Sequence, residues 1–267
     1  MAAPLAGKVA LVTGGAGLIG SAISRRLAHE GATVFINGRD AARAERLAVE
    51  VRHQGGAAWA LPADVRDEAQ VAALVRALLE QSGRLDILVT AAGGVSVAGA
   101  SGPAYAADTR LDDWHHILEL NLTATFLAIR AALPALIRSG AGRIVTISSA
   151  GQFGVIGLAP YAAAKSALLG LTRTVALEYA REGLTANVVV PHLTESGRPR
   201  PPEMEATLLA QVPLRRYARP EEIAGVVAFL VGPDGGYLTG QALHVTGGLD
   251  WLGPGLDLVA LRRLGPR

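Results

Sequence analysis

Short runs of aliphatic and β-branched residues alternate with longer amphipathic stretches along most of the chain. The runs have the length and composition of buried strands, and they fall at Lys8–Thr13, Thr33–Asn37, Ala57–Leu61, Asp86–Thr90, Arg143–Ser148, Thr185–Val190 and Ala242–Thr246. The amphipathic stretches predict helices at Leu18–Glu30, Asp40–His53, Asp67–Gln81, Asp112–Arg138, Pro160–Arg181, Glu203–Gln211 and Pro220–Val231. This alternation predicts an α/β fold, a doubly wound parallel sheet of about seven strands with helices on both faces.

No linker or internal repeat divides the 267 residues, so we expect a single domain. Half of the residues are hydrophobic, which is enough to build a large core. Within the helix predicted at Asp112–Arg138 we expect a break near Leu133–Pro134, because proline lacks the N–H that the helical ladder uses.

Composition and charge narrow the classes of function. The chain has no cysteine, which excludes disulfides, thiolate catalysis and zinc–cysteine sites. The formal net charge is only +2 and the basic residues are scattered, so nucleic acid is not an expected partner. We recognise no secretory leader, membrane span or metal-ligand cluster, and we therefore expect a soluble, cytoplasmic protein without a metal.

A glycine-rich segment follows the first predicted strand and opens the first predicted helix. Its sequence is Thr-Gly-Gly-Ala-Gly-Leu-Ile-Gly, running from Thr13 to Gly20. Glycine allows a tight turn and a close approach of the backbone to a pyrophosphate, which helix N–H groups then bind. The strand–loop–helix context predicts a dinucleotide site there.

A tyrosine and a lysine lie four residues apart in a later predicted helix. Tyr161 and Lys165 would therefore point to the same side of that helix. A nearby cation favours the phenolate, so we expect Lys165 to lower the pKa of Tyr161 towards the range of acid–base catalysis. Ser148 ends the preceding predicted strand, at the carboxyl edge where ligands bind in open α/β sheets.

Together these motifs resemble the short-chain dehydrogenase/reductase family in its single-domain form, with a Rossmann-like fold. The resemblance covers roughly residues 5–248. The matching segments are the glycine motif, Asp64 in Ala-Asp-Val, Ala91–Gly93, Asn121 in Asn-Leu-Thr-Ala-Thr-Phe, Ser148, Tyr161 with Lys165, Asn187–Pro191 and the Thr-Gly-Gly near the end. The resemblance implies a cofactor-binding half over about 5–150, a catalytic half over about 151–248 and an additional apolar tail over 249–267.

The resemblance implies catalytic roles for four residues. Tyr161 would be the general acid in reduction and the base in oxidation. Lys165 would hold the nicotinamide-ribose hydroxyls. Ser148 would polarise the substrate oxygen, and Asn121 would fix a water that links Lys165 to solvent.

The resemblance also implies a set of cofactor-binding residues: Gly14, Gly17, Leu18, Ile19, Gly20, Arg39, Asp64, Val65, Ala92, Gly93, Tyr161, Lys165, Pro191 and Ser196. No acidic residue precedes Asp40 at the end of the second predicted strand, where an acid would select NAD(H). Arg39 lies there instead and suits a 2′-phosphate, so we expect NADP(H), with NAD(H) as the less favoured alternative. The glycine loop itself contains no second basic residue.

Four positions depart from the family pattern. Leu18 replaces the second glycine of the loop, a spacing that resembles the extended, epimerase-like branch. Thr90–Ala91 replaces the two asparagines after the fourth strand. His192 replaces the glycine after Pro191, and Thr246 replaces an aspartate. We expect His192 to be either a substrate contact or a surface turn residue.

Substrate contacts are expected from the variable segments. The candidates are Gln152, Phe153, Ile156, His192 and Arg198. The uncharged segment around Phe153 and Ile156 favours an apolar pocket. We therefore expect an NADP(H)-dependent reductase or dehydrogenase of a small ketone or secondary alcohol, with cyclic, polyketide-like and 3-oxoacyl ketones as the candidate substrates. The alternatives are an epimerase or dehydratase with a retained cofactor and a non-catalytic NADP sensor.

Family members are usually tetramers or dimers, and an acidic carrier protein is a further candidate partner.

Overall fold

The computed structural model describes residues 3–95, 102–197 and 199–249. Its strands are β1 (Val9–Thr13), β2 (Thr33–Gly38), β3 (Ala57–Pro62), β4 (Ile87–Thr90), β5 (Arg143–Ile147), β6 (Thr185–Pro191) and β7 (Ala242–Val245). Its helices are α1 (Leu18–His29), α2 (Ala41–His53), α3 (Glu68–Ser82), α4 (Leu111–Leu118), α5 (Ala124–Arg138), α6 (Ala159–Tyr179), α7 (Pro202–Ala210) and α8 (Pro220–Val231). The predicted alternation of strands and helices is therefore confirmed, with ends that differ by a few residues.

All seven strands join one parallel sheet in the order β3-β2-β1-β4-β5-β6-β7. The chain builds outward from β1 to β3 and then returns to add β4 on the other side of β1. The order thus reverses between β1 and β4, the point at which open α/β sheets bind ligands beyond the carboxyl ends of their strands. The predicted fold class is confirmed.

Alternate side chains of each strand pack into two cores on opposite faces of the sheet. In β1, Ala10 and Val12 pack with α1, α2 and α8. Val9 and Leu11 pack with α3, α5 and α6 on the other face. Strands that are covered on both faces are continuously apolar, which is why the runs could be found in the sequence.

The helix predicted at Asp112–Arg138 is interrupted, but not at Pro134. α4 and α5 are joined by one π-helical turn at Glu119–Thr123. There Asn121 Nδ2 donates to the carbonyl oxygen of Ile117 at 3.0 Å, which inserts a side chain into the helical ladder. Pro134 is exposed on α5, where the carbonyl that it leaves unpaired can face water, so no break is needed. The prediction of a break at Leu133–Pro134 was wrong.

The same stretch, Leu111–Arg138, is long and apolar enough to cross a membrane by length and composition alone. Half of its most apolar window is buried inside the protein, and α5 contributes Ile129, Ala132 and Leu136 to the core beneath the sheet. Those contacts are the ones that a core helix of a globular domain makes.

Candidate active site

The glycine loop lies where the chain leaves β1, and its glycines are required by close backbone contacts. A Cβ on Gly14 would lie 2.7 Å from Ala92 Cα, and a Cβ on Gly20 would lie 2.1 Å from the Gly14 oxygen. Leu18 begins α1 in helical conformation and is 41% exposed, so the departure from the family pattern causes no strain. Among the described residues, no acceptor bonds the N–H groups of Leu18, Ile19 or Gly20. This loop and helix end fit the pyrophosphate of a dinucleotide.

The predicted adenosine side of the site holds two arginines and one aspartate. Asp64 accepts two hydrogen bonds from Arg66 Nε, at 3.0 and 3.1 Å, and one from its Nη2 at 2.6 Å. This bonding lowers the pKa of Asp64, and the nearby charge of Arg39 adds to the effect. Arg39 is exposed at the end of β2. Val65 is buried, with 5% of its surface exposed, in a small apolar cluster against which Ala92 packs.

Asn121 fixes the backbone that follows β4. Its Oδ1 accepts from the Gly94 N–H at 2.9 Å, and its Nδ2 donates to the Gly94 oxygen at 3.0 Å. A Cβ on Gly93 would lie 2.7 Å from Asn121 Oδ1 and 3.1 Å from Lys165 Nζ, so only glycine fits at this position. Ala92 and Gly93 thus lie between the glycine loop and Lys165. The water relay predicted for Asn121 stays a prediction.

Tyr161 and Lys165 project from the same side of α6, as predicted. Lys165 Nζ is 5.7 Å from the centre of the Tyr161 ring and donates to the Ile147 oxygen at 3.0 Å. Burial lowers the pKa of Lys165 to about 8. Burial also raises the pKa of Tyr161, and a hydrogen bond with Ser149 opposes that rise only in part. The predicted lowering of the Tyr161 pKa is therefore corrected, because desolvation outweighs the favourable contacts.

The serine beside Tyr161 is Ser149, and the prediction for Ser148 is corrected. Ser148 is 4% exposed, and its Oγ lies 2.9 Å from both Gln152 Oε1 and the Lys165 oxygen, facing the α6 backbone. Successive residues of an extended chain point to opposite sides. Ser149 is extended, with φ −164° and ψ 150°, so it points away from Ser148 and bonds Tyr161. Ser148 shares its side of the chain with Thr146, whose hydroxyl accepts from Thr172 of α6, so this side of β5 faces α6.

The predicted substrate residues after β5 differ in burial and in what they contact. Gln152 is 6% exposed, and its Nε2 has no partner among the described residues. The Phe153 ring lies 5.4 Å from that of His244 on β7, the edge strand of the sheet. Phe153 therefore packs towards the sheet edge and does not line the cavity at Tyr161. Ile156 is 41% exposed.

The end of β6 carries the remaining predicted contacts. Pro191 is the last residue of β6 and pairs with Val245. His192 is half-buried, and burial lowers its pKa. Its buried Nδ1 has no partner in the described part of the chain, so His192 is not a simple surface turn residue. Ser196 follows the bridge of Thr194 to Ala218.

Arg198 and residues 250–267 of the apolar tail lie outside the described residues, and the predictions made for them stay predictions. Among residues 3–95, 102–197 and 199–249, no group of three His, Asp or Glu side chains could hold a metal ion.

A small cavity of about 30 Å³ adjoins Tyr161. Its described lining residues are Val95, Gly102, Ala104, Thr109, Asp113, Ile117, Gly157, Leu158, Pro160 and Tyr161. A parallel bridge between Ala104 and Leu158 closes one side. Asp113 is the only charged residue in this described lining, and the other lining residues suit an uncharged organic group.

Comparison with known proteins places this site in a family. The family model described as enoyl-(acyl carrier protein) reductase matches residues 14–250. A 3-oxoacyl-[acyl-carrier-protein] reductase of Synechocystis sp. is 36% identical over 92% of this chain and 98% of its own length. A putative ketoacyl reductase of Streptomyces coelicolor is 37% identical over 91% of this chain and 97% of its own.

Two solved structures share the fold at similar identity. A dehydrogenase/reductase from Sinorhizobium meliloti has a TM-score of 0.85 and 37% identity, covering 93% of this chain and 97% of that one. A variant of actinorhodin polyketide ketoreductase, solved with NADPH, has a TM-score of 0.85 and 36% identity, covering 93% and 99%. The predicted resemblance is confirmed: the chain belongs to the short-chain dehydrogenase/reductase family.

Proposed function

We propose that the protein is an NADP(H)-dependent oxidoreductase that interconverts a ketone and a secondary alcohol. The observation that carries the proposal is the hydrogen-bonded pair of Tyr161 and Ser149, beside buried Lys165 at the carboxyl edge of the sheet. The relatives named as 3-oxoacyl and ketoacyl reductases, and the neighbour solved with NADPH, support the same reaction class and cofactor.

The cofactor would lie along residues that meet at the switch between β1 and β4. The glycine loop and the free N–H groups at the start of α1 would bind the pyrophosphate. Arg39 would bind the 2′-phosphate, Asp64 and Val65 would flank the adenine, and Lys165 would hold the nicotinamide ribose. Ala92, Gly93, Pro191 and Ser196 would complete the walls. When bound, NADPH supplies the hydride that reduces the carbonyl carbon.

The chain's own residues would manage the proton and the developing oxyanion. The raised pKa of Tyr161 keeps its hydroxyl protonated at neutral pH, which suits a general acid that donates to the carbonyl oxygen. Ser149 would donate a second hydrogen bond to that oxygen and polarise the carbonyl. Asn121 would act as a positioning residue, because it fixes Gly93 and Gly94 against Lys165.

The substrate would be a small, uncharged ketone, and its apolar part would enter the cavity beside Tyr161. The apolar and glycine lining of that cavity supports this assignment. A cyclic, polyketide-like or 3-oxoacyl ketone fits these limits. Gln152 and His192 each have a buried nitrogen without a partner in the described structure, and they would supply polar contacts.

The protein would work as a homotetramer or homodimer in the cytoplasm. Exposed apolar side chains on three helices support an oligomer: Phe126 on α5 is 42% exposed, Leu177 on α6 is 73% exposed and Phe229 on α8 is 45% exposed. Carrier-protein docking is the less supported partnership. Arg138 and Arg181 could bind an acidic carrier, but each lies in the last turn of its helix, where a basic residue is common for structural reasons.

Two adjacent serines provide the matched test of this active site. Loss of an oxyanion donor reduces kcat by roughly 100- to 1,000-fold, and we expect Ser149→Ala to do so with the best ketone of a substrate panel. Ser148→Ala should reduce kcat by less than about tenfold, because Ser148 bonds only protein atoms. Both variants should retain wild-type NADPH binding and far-UV circular dichroism. A larger loss of kcat for Ser148→Ala would contradict the assignment of Ser149.

A further inference from the structure

A polar cleft opens beside the glycine loop, between the first turns of α1 and α2. Its lining includes Ala16 and Ser21 from the loop and α1, and Asp40, Arg43 and Arg46 from the start of α2. Ala16 belongs to the predicted pyrophosphate loop, so the cleft is continuous with the cofactor site. A Cβ on Gly38, at the end of β2, would lie 3.9 Å from the Ala16 Cβ, which places the end of β2 at the same entrance.

The cleft has more positive charge than its acidic groups neutralise. Arg25 and Glu50, which also line it, form a two-point ion pair at 2.7 and 2.9 Å. Asp40 uses its carboxylate to accept from the backbone N–H of Arg43 at 2.9 Å, as the N-cap of α2. Within the described part of the chain, neither the Arg43 nor the Arg46 guanidinium makes a hydrogen bond or an ion pair.

Arg39 directly follows β2, and Arg43 lies four residues later, in the first turn of α2. Arg39 lies on the side of Asp64, whose pKa its charge helps to lower. Arg43 lies on the side of Ala16, in the cleft. A phosphate monoester carries a charge of about −1.5 to −2 near neutral pH and can accept from two guanidinium groups. Arg46 is three residues further along α2, about 4.5 Å along the helix axis from Arg43, and so lies farther from the glycine loop.

We propose that Arg43 is a second determinant of NADPH specificity, which binds the 2′-phosphate of the cofactor together with Arg39. The inference rests on the proposed use of NADP(H), and it supplies the basic partner that the glycine loop lacks. The second positive charge comes from the first turn of α2, which packs beside the loop.

The test compares Arg43→Gln with Arg46→Gln, since both residues line the cleft from the same helix and carry the same charge. Calorimetric titration of the full chain with NADPH, NADH, 2′,5′-ADP and 5′-AMP reports binding without turnover. We expect Arg43→Gln to raise the Kd for NADPH and for 2′,5′-ADP by roughly 10- to 100-fold. The Kd for NADH and for 5′-AMP should not change. Arg46→Gln should change every Kd by less than about threefold.

Three results would overturn the proposal. The first is an unchanged Kd for NADPH in Arg43→Gln. The second is an equal weakening of NADPH and NADH, which would indicate damage to the shared part of the site. The third is an equal effect of Arg46→Gln, which would indicate that the overall positive charge of the cleft, and not a specific contact with Arg43, favours NADPH. A wild-type protein that binds NADH but not NADPH would overturn the proposed cofactor itself. That result comes from the wild type alone, so it is distinguishable from a failure of the Arg43 assignment.

Discussion

Replacement of Lys165 by methionine should remove catalysis and yet stabilise the fold. Lys165 is only 4% exposed, and burial lowers its pKa from 10.5 to about 8. The unfolded chain therefore binds the lysine proton more tightly than the folded protein does. Each pKa unit corresponds to about 1.4 kcal/mol. At pH 7 the folded state consequently bears a penalty of about 3 kcal/mol for keeping this side chain charged.

The penalty depends on pH with a defined sign. It is fully present below the folded pKa of about 8. It falls as the pH rises from there to the unfolded value, and at pH 9.5 about 1 kcal/mol remains. Methionine has no charge to desolvate, and loss of the hydrogen bond to Ile147 costs about 1 kcal/mol. Lys165→Met should therefore be more stable than wild type by about 2 kcal/mol at pH 7 and about equal to it at pH 9.5.

Urea unfolding of the cofactor-free protein, followed by circular dichroism at both pH values, measures this difference. Groups other than Lys165 titrate in both proteins and cancel in the comparison. Lys165→Arg is the control, because it keeps its charge at both pH values and should show no recovery at pH 9.5. A methionine variant that is less stable at pH 7, or a difference that does not change with pH, would refute the reasoning.

Two further predictions concern buried polar groups of the sheet and its edge. The Thr90 hydroxyl has no partner among the described residues, so Thr90→Val should raise the free energy of unfolding by about 1 kcal/mol in urea titrations. Thr146→Val, which breaks a 3.1 Å hydrogen bond from Thr172, should lower it, and the opposite order would contradict this explanation. Asp86 is 1% exposed; burial alone would raise its pKa, but hydrogen bonds, led by that from Arg84, outweigh burial and lower it. Asp86→Asn should therefore cost about 3 kcal/mol at pH 7 and progressively less as the pH falls below about 4, whereas an equal cost at pH 3 and pH 7 would show that the charge is not responsible.

The sheet could be predicted because its strands are buried on both faces. The run predicted at Thr185–Val190 differs from β6 by one residue, since every position there is buried and apolar character alone marks the strand. The helix at 111–138 shows the limit of such patterns. Its apolar period continues through the π-helical turn, and only the hydrogen bonds of Asn121, to Ile117 within the helix and to Gly94 outside it, reveal why the ladder changes there.

The site could be predicted as a set of motifs, but not in its orientation. Tyr161 and Lys165 were found because a helix brings residues four apart together. Ser148 and Ser149 are adjacent and chemically identical, and choosing between them requires knowing which side of β5 faces α6. Phe153 looked like a pocket residue because it is apolar, but its direction depends on the turn that carries it to His244.

The most direct test of the central claim is the rate of NADPH oxidation by purified wild-type protein, compared with NADH, over a panel of cyclic ketones and β-keto thioesters. We expect turnover of at least one class of ketone, a preference for NADPH over NADH, and loss of that turnover in Tyr161→Phe with NADPH binding retained. Turnover that survives in Tyr161→Phe, or tight NADPH binding with no reduction of any ketone, would contradict that claim.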